Sequence, residues 1–500
     1  MPMLPRLAAL SVFSVFLATP LAAQCPDGSA PPCTRTVPRA LPPPGNSVAV
    51  LYFEARDTAD AYLADGLTED LTSLLSGVPT VAVKSPGVVR RAQRTAPGNA
   101  LAIARALGVR YLVDGSVRRV GTRVRVSIQL LNGTTAMGAW GDVFDRTPDE
   151  LLALPSVIAR EVATRVGGPA PAAAAAELAT LRTRSPAAND HFLRGNFLLA
   201  RRSPEFTAQA IGEYGEAERL DTAFTAAIGR AAYAYAIARA NYYRLPDTPI
   251  ESLVVRGLSL ADRALHQDSA SSDAWMARGF LLAFAHPRTF DSSLDAFQRA
   301  ITLDPKNAEA HHQYGQVLVW LGRLSDADRE YHQALAIDPS RTVSYNDLAD
   351  AVHYRDTALA VALADSAVAL DPLSRRTRAE ARLVAGDVAG ALADAELANR
   401  LRPGDIVMEN LLALVLARAG HVDSARVLIA HWAGRTDNHM AMAALVAVGD
   451  TATALDRFER AQPDPAYWAQ LHRPEFDPLH GNPRYERLLA ALRPSGAVGP

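Results

Sequence analysis

From about Asn189 onward, apolar side chains recur every three or four residues in paired runs, the spacing of amphipathic helices. The clearest pair lies between Leu303 and Pro339. Its runs, Ala308–Trp320 and Ser325–Ile337, are joined by Leu321–Leu324 with a glycine in the turn. An Asp-Pro dipeptide stands at each end, with Pro305 and Pro339 34 residues apart. Proline stops a helix because it lacks a donor and clashes with the preceding turn. Gly315, Ala327 and Ala334 are small where two paired helices must approach, and Tyr331 is the large residue among them.

The same register extends both ways. Upstream, Trp275, Gly279, Phe297, Ala300 and Pro305 fill matching positions, with extra turn residues at His286–Phe290. Ala227–Tyr243 pairs with Ile250–His266, and Asp190–Ala200 with Gln209–Leu220. Downstream, Tyr345, Ala349, Ala360, Ala364, Ala367 and Pro372 make one unit, and Gly386, Ala391, Ala395, Ala398 and Pro403 the next. Ala413, Gly420, Ala425 and Ile429 follow, then a degenerate unit at Gly449, Ala454, Phe458 and Ala461. About eight pairs are expected over residues 189–465, none able to bury its apolar flank alone. Residues 466–500 are expected to cap the array, with a last amphipathic helix at Arg484–Leu492. His472, Asp477 and His480 fit no metal-ligand spacing.

Residues 46–168 carry a different pattern. Ser47–Phe53 and Thr80–Val83 read as short buried strands, and Ala59–Leu75 and Ala100–Leu107 as helices. Val109–Val117 and Thr122–Leu131 alternate about Val120-Gly121, predicting a hairpin. In it Val124, Val126, Ile128 and Leu130 face inward, and Arg123, Arg125, Ser127 and Gln129 face water. Ala136–Phe144 supplies a third consecutive strand and Asp149–Val166 a closing helix. The predicted order is β-α-β-α-β-β-β-α, one sheet with one helical layer, followed by an all-α repeat array.

The 34-residue unit, with Gly315, Ala327, Tyr331, Ala334 and Pro339, resembles the tetratricopeptide repeat (TPR). The amino-terminal part resembles the TolB amino-terminal-like domain through Ala64-Asp65-Gly66-Leu67, Gly115-Ser116-Val117 and Trp140. Asn132-Gly133-Thr134-Thr135 departs from the Asp-rich turn usual in that family. The resemblance implies modules that accompany bacterial adenylate cyclases, CadC-like regulators and serine/threonine kinases, without catalytic residues of their own. It also implies a right-handed TPR superhelix whose first helices line an inner groove. By register, the groove residues are Tyr233, Met276, Phe280, His312, Gln316, Trp320, Asn346, Asp350 and His353. These would suit an extended peptide; the other reading of Phe280 and Trp320 is core between repeats. No Lys/Arg cluster of the carboxylate-clamp kind stands among them.

A second candidate surface is the hairpin, where Arg118, Arg119, Arg123 and Arg125 form either a docking strip for an acidic partner or a solvated face that guards an edge. With 49% hydrophobic and 21% charged residues and a net charge of −2, the 500-residue chain lacks the basic excess of a nucleic-acid binder. Residues 1–24 read as a signal peptide: Arg6, an apolar run Leu7–Leu17 too short to span a bilayer, and Leu21-Ala22-Ala23. The mature chain has no run long enough for a transmembrane span. Cys25 and Cys33, the only cysteines, lie in a proline-rich leader (residues 25–45) and are expected to form a disulfide rather than a metal site. Residues 169–188 form an Ala/Pro linker. No phosphate loop, nucleophile elbow or zinc motif is present, so no enzyme, cofactor or metal is expected. The expectation is a periplasmic or secreted, envelope-associated scaffold for a protein or peptide. The alternative is an accessory subunit of an envelope enzyme, or an enzyme with an unfamiliar site.

Overall fold

The computed structural model describes residues 43–168, 183–285, 290–353, 355–432, 439–461, 468–494 and 497. Residues 1–24 with the signal reading, and Cys25 and Cys33 with their pairing, lie outside them, as does most of the linker. Pro44–Pro500 makes one compact unit.

The amino-terminal sheet is mixed. Strands β1 (Ser47–Val50), β2 (Glu54–Ala55), β3 (Ala82–Val83), β4 (Tyr111–Val120), β5 (Arg123–Asn132) and β6 (Gly138–Arg146) run in the order β3-β1-β4-β5-β6, with β2 extending beside β4. Val48 aligns in parallel with Val83 on one side and Tyr111 on the other. Parallel neighbours require crossovers. Helix α1 (Ala61–Ser76) supplies one, and α2 (Pro86–Thr95) with α3 (Ala100–Leu107) the other. The β4–β5 hairpin turns through Gly121, whose φ of 60° suits a residue without a Cβ. Its alternation is as expected: Val124, Val126, Ile128 and Leu130 are buried.

Two details correct the predicted order. The sheet has helices on both faces: α1 and α4 (Leu154–Gly167) cover Val48, Val50, Val113 and Val126, while α2 and α3 cover Ala49, Leu51 and Leu112. Helix α2 was not predicted because only Val89 and Ala92 are buried in it, among Arg90, Arg91, Gln93 and Arg94.

After residue 183 the described chain is an array of eight helix pairs: α5/α6 (Pro186–Leu199, Pro204–Leu220), α7/α8 (Thr225–Ala240, Leu253–Gln267), α9/α10 (Ser272–Leu282, Phe290–Leu303), α11/α12 (Ala308–Trp320, Leu324–Ile337), α13/α14 (Thr342–Val352, Thr357–Leu370), α15/α16 (Arg375–Val384, Val388–Leu401), α17/α18 (Ile406–Arg418, Val422–Trp432) and α19/α20 (His439–Ala447, Thr451–Ala461). The Asp-Pro signals act as read: Asp338 and Asp371 leave the helix at φ −130° and −141°, as the residue before proline is pushed to do. Some of the helices that follow are then restarted by a side-chain cap. Asn307, for example, accepts from the Ala310 amide, satisfying a donor that would otherwise be orphaned. A final helix α21 (Pro483–Leu492) buries Tyr485, Leu489 and Leu492 against the last pair.

Small residues let the paired helices meet. A Cβ on Gly195 would fall 2.5 Å from the Tyr214 ring, and one on Gly315 2.9 Å from Tyr331. The sheet region is joined to the repeats rather than tethered beside them. Gly66 of α1 packs on Leu193, Tyr62 donates to Asp190 and stacks under Arg194, and Lys306 reaches the Ser76 carbonyl at 3.3 Å. A single apolar core therefore runs from the sheet to Ala381. A second begins at Ala379 and continues to Leu492. Where they meet, Asp394, almost fully buried, accepts from Arg378 at 2.7 Å and Arg382 at 2.8 Å.

Glycines with different surroundings should respond oppositely. Gly195→Ala should cost about 1–3 kcal/mol by overpacking Tyr214. Gly212→Ala, mid-helix with open space around it, should gain about 0.5–1 kcal/mol. Urea denaturation of the two variants checks the contrast, and equal effects would contradict the packing described.

Candidate binding groove

The first helices of successive pairs adjoin one another, and several polar side chains gather along them. Toward the amino-terminal end the organising group is Glu309 of α11. Tyr233 of α7, two pairs earlier, donates to Glu309, and Gln313 donates to Glu309 at 2.8 Å and to the Tyr233 hydroxyl at 3.0 Å. Arg202, from the turn after α5, reaches both Tyr233 and Glu309 at 3.3 Å. Arg341 ion-pairs with the other Glu309 oxygen at 3.0 Å. Burial works against the Glu309 charge, but Arg341 and Arg202 outweigh it and hold the carboxyl well below the usual range.

Farther along, His312 sits 3.1 Å from the Ser344 hydroxyl and 3.6 Å from Asp347. Burial, then the Arg341 charge, pushes the His312 pKa down to about 3, so the ring is neutral. Asp347 keeps about a third of its side chain open, 32%, yet burial and the neighbouring Asp350 carboxylate push its pKa up to about 7. Asp350 behaves oppositely. Burial opposes its charge, but Arg473, arriving from the carboxyl-terminal segment, wins and lowers its pKa. On α15 Arg376 donates to Glu380 at 2.6 Å. Asn346 donates to Ser374 at 3.2 Å, while its buried Oδ1, like Oε1 of Gln313, has no partner.

Six of the nine expected groove residues are not open surface. Tyr233, Met276, Phe280, His312 and His353 are buried, and Trp320 is 9% exposed. Phe280 stacks on Trp320 with ring centres 6.0 Å apart, and Phe284 meets Trp320 edge-on at 5.1 Å. Phe280 and Trp320 are thus core between repeats. Tyr233 and Glu309 join the second pair directly to the fourth. Gln316, Asn346 and Asp350 remain half-buried.

The sequence reading missed Arg202, Glu309, Gln313, Arg341, Asp347, Arg376, Glu380 and Arg473. Glu309, Gln313 and Asp347 could have been found, since they lie within one helical turn of His312, Gln316 and Asp350. Arg473 could not, being 123 residues from its partner.

The arginine strip is corrected too. Arg118, opposite Arg125, shares its face with Arg123, but Arg119 aligns with inward Val124 and bends to buried Asp60 at 3.1 Å. Asp145 of β6 takes the charges of Arg123 at 2.9 Å and Arg125 at 2.7 Å. His472 turns to the Trp468 carbonyl at 2.8 Å and meets its ring edge-on, and His480 lies edge-on to Tyr485, so both serve the cap. Among the described residues no three His, Cys, Asp or Glu side chains are grouped to hold a metal. Among them, no helix is long and apolar enough to cross a membrane.

A tetratricopeptide repeat family model matches residues 288–350. A stretch of 137 residues is 33% identical to putative adenylate cyclase 3 of Rhizobium meliloti (strain 1021), covering 26% of this chain and 23% of that protein. The chain thus spans about a quarter of the length of that curated relative. Similar solved structures include PilW, a widely conserved type IV pilus biogenesis factor (17% identity, 44% of this chain, 98% of that one, TM-score 0.36), and yeast Tom70 (18%, 61%, 65%, 0.39). Another is pilF of Pseudomonas aeruginosa (17%, 45%, 95%, 0.33).

Two outcomes follow. Phe280→Ala should cost about 3–5 kcal/mol in chemical denaturation, as for a core aromatic. Asp347 binds its proton more tightly folded than unfolded, so its contribution is full below about pH 4 and is lost as pH rises through about 7. Asp347→Asn should therefore raise the melting midpoint at pH 8 and leave it nearly unchanged at pH 4; an equal shift at both would contradict the assignment.

Proposed function

We propose that the chain is an exported, non-catalytic scaffold that binds a protein or peptide partner on the inner face of its repeats. The observation that carries this reading is the middle of that face. Gln316, Asn346, Asp347 and Asp350 stay partly open there, while their neighbours are fixed by buried ion pairs and hydrogen bonds. Amides and carboxylates spaced one turn apart on adjoining helices suit the backbone of an extended chain, and a rigid surround keeps the ordering cost of binding low. The matched repeat family supports binding as the activity. The apolar run Leu7–Leu17, with its small-residue exit, supports export.

The sheet region, proposed as a TolB amino-terminal-like module, would serve here chiefly to brace the first repeats. With Asp145 neutralising Arg123 and Arg125, it is the weaker docking surface for an acidic partner.

Capture from an envelope extract tests the reading. Wild-type protein should retain a specific partner that the Gln316→Ala, Asn346→Ala double variant loses, with melting midpoints of the two within a few degrees. A partner held equally by both, or a tagged protein confined to the cytoplasm, would sink it. Alanine at Phe280, Trp320 and His312 cannot serve, because those residues hold the array together.

A further inference from the structure

The inner face already holds one cation of the chain's own. Arg473 lies in a segment that leaves its short helical turn in extended conformation (φ −75°, ψ 147°) immediately before Pro474, and places its guanidinium on both Asp350 oxygens, at 2.6 and 2.5 Å. One helical turn earlier on the same helix stands Asp347, facing the same space and as open as Asp350, with side-chain exposures of 32% and 31%. Its nearest basic group is the His312 ring at 3.6 Å, which carries no charge. Asp350 is thus a satisfied carboxylate and Asp347 an unsatisfied one, in the same setting.

Buried acceptors on this helix and on the preceding first helix also lack donors. Asn346 Oδ1 adjoins Asp347 in sequence, and Gln313 Oε1 belongs to a residue only 1% exposed among the groups gathered around Glu309. Orphaned acceptors in a built, polar recess are costly unless something donates to them. An open carboxylate without a cation asks for a ligand that brings one.

We propose that this face docks an extended basic peptide, with an arginine or lysine on Asp347 as Arg473 sits on Asp350. Arginine fits best, because its planar fork matches a carboxylate in two bonds. An acidic peptide is disfavoured: Arg202, Arg341, Arg376 and Arg473 are all committed to Glu309, Glu380 and Asp350. This inference rests on the scaffold reading above and gives its partner a chemistry.

A random decapeptide library selected against the full chain provides the test, followed by fluorescence titration of one enriched sequence. Sequences carrying Arg or Lys should be enriched. Replacing that residue by Gln, or Asp347 by Asn in the protein, should each weaken binding at least tenfold, and combining the two should add little further loss. Asp347→Asn should stay folded, as its melting midpoint will show, since it removes a carboxylate that the site disfavours. Enrichment of acidic or purely apolar peptides, or unchanged affinity in Asp347→Asn, overturns the basic-peptide assignment and leaves the scaffold reading standing. If no peptide of any charge binds the wild-type chain, both fall together.

Discussion

Close approach of paired helices is the constraint on which the molecule depends. Glycine or alanine recurs where two axes come nearest, and a large partner such as Tyr214 or Tyr331 fills the space left free. Because each pair is apolar on more than one side, stability comes from neighbours, as in other repeat proteins. The sheet region obeys the same rule. Gly66 admits Leu193, and the first repeat is covered on the side where no earlier repeat stands.

Polar contacts between pairs concentrate at one residue. Side chains from separate pairs are brought together, so that Glu309 gathers two arginines, a tyrosine and a glutamine. Buried ion pairs of this kind seldom add net stability over a well-packed apolar core, but breaking one partner away is expensive. Their service here is positional: they hold α7, α11 and α13 in one register and leave Asp347 in a setting that its own chain does not satisfy.

Much of the fold was legible in the sequence because it follows local rules. The Asp-Pro stops, the small residues at Gly315, Ala327 and Ala334, and the alternation in Val124–Leu130 each determine a short stretch with little outside help. Helix α2 was not legible, since two buried residues among four polar ones leave almost no periodic signal. Of the candidate site, only the helices that carry it were legible, and Phe280, His312 and Trp320 proved to be buried. Register assigned them to a groove, yet burial between repeats depends on the angle between successive pairs, which no single repeat encodes. Arg473 shows the limit most plainly, because its role exists only once the chain has turned back on itself.

The junction at Asp394 is not the only tie between the two cores. Apolar packing is continuous on either side of it, and there it gives way to a cluster of guanidinium groups around one carboxylate. Such a joint is held by directed, charge-assisted bonds rather than by apolar contact alone. Arg473 stands among the residues of the second core and Asp350 among those of the first, so their ion pair spans the same boundary. The two apolar cores are thereby tied a second time, by a charge pair whose partners lie 123 residues apart in the chain.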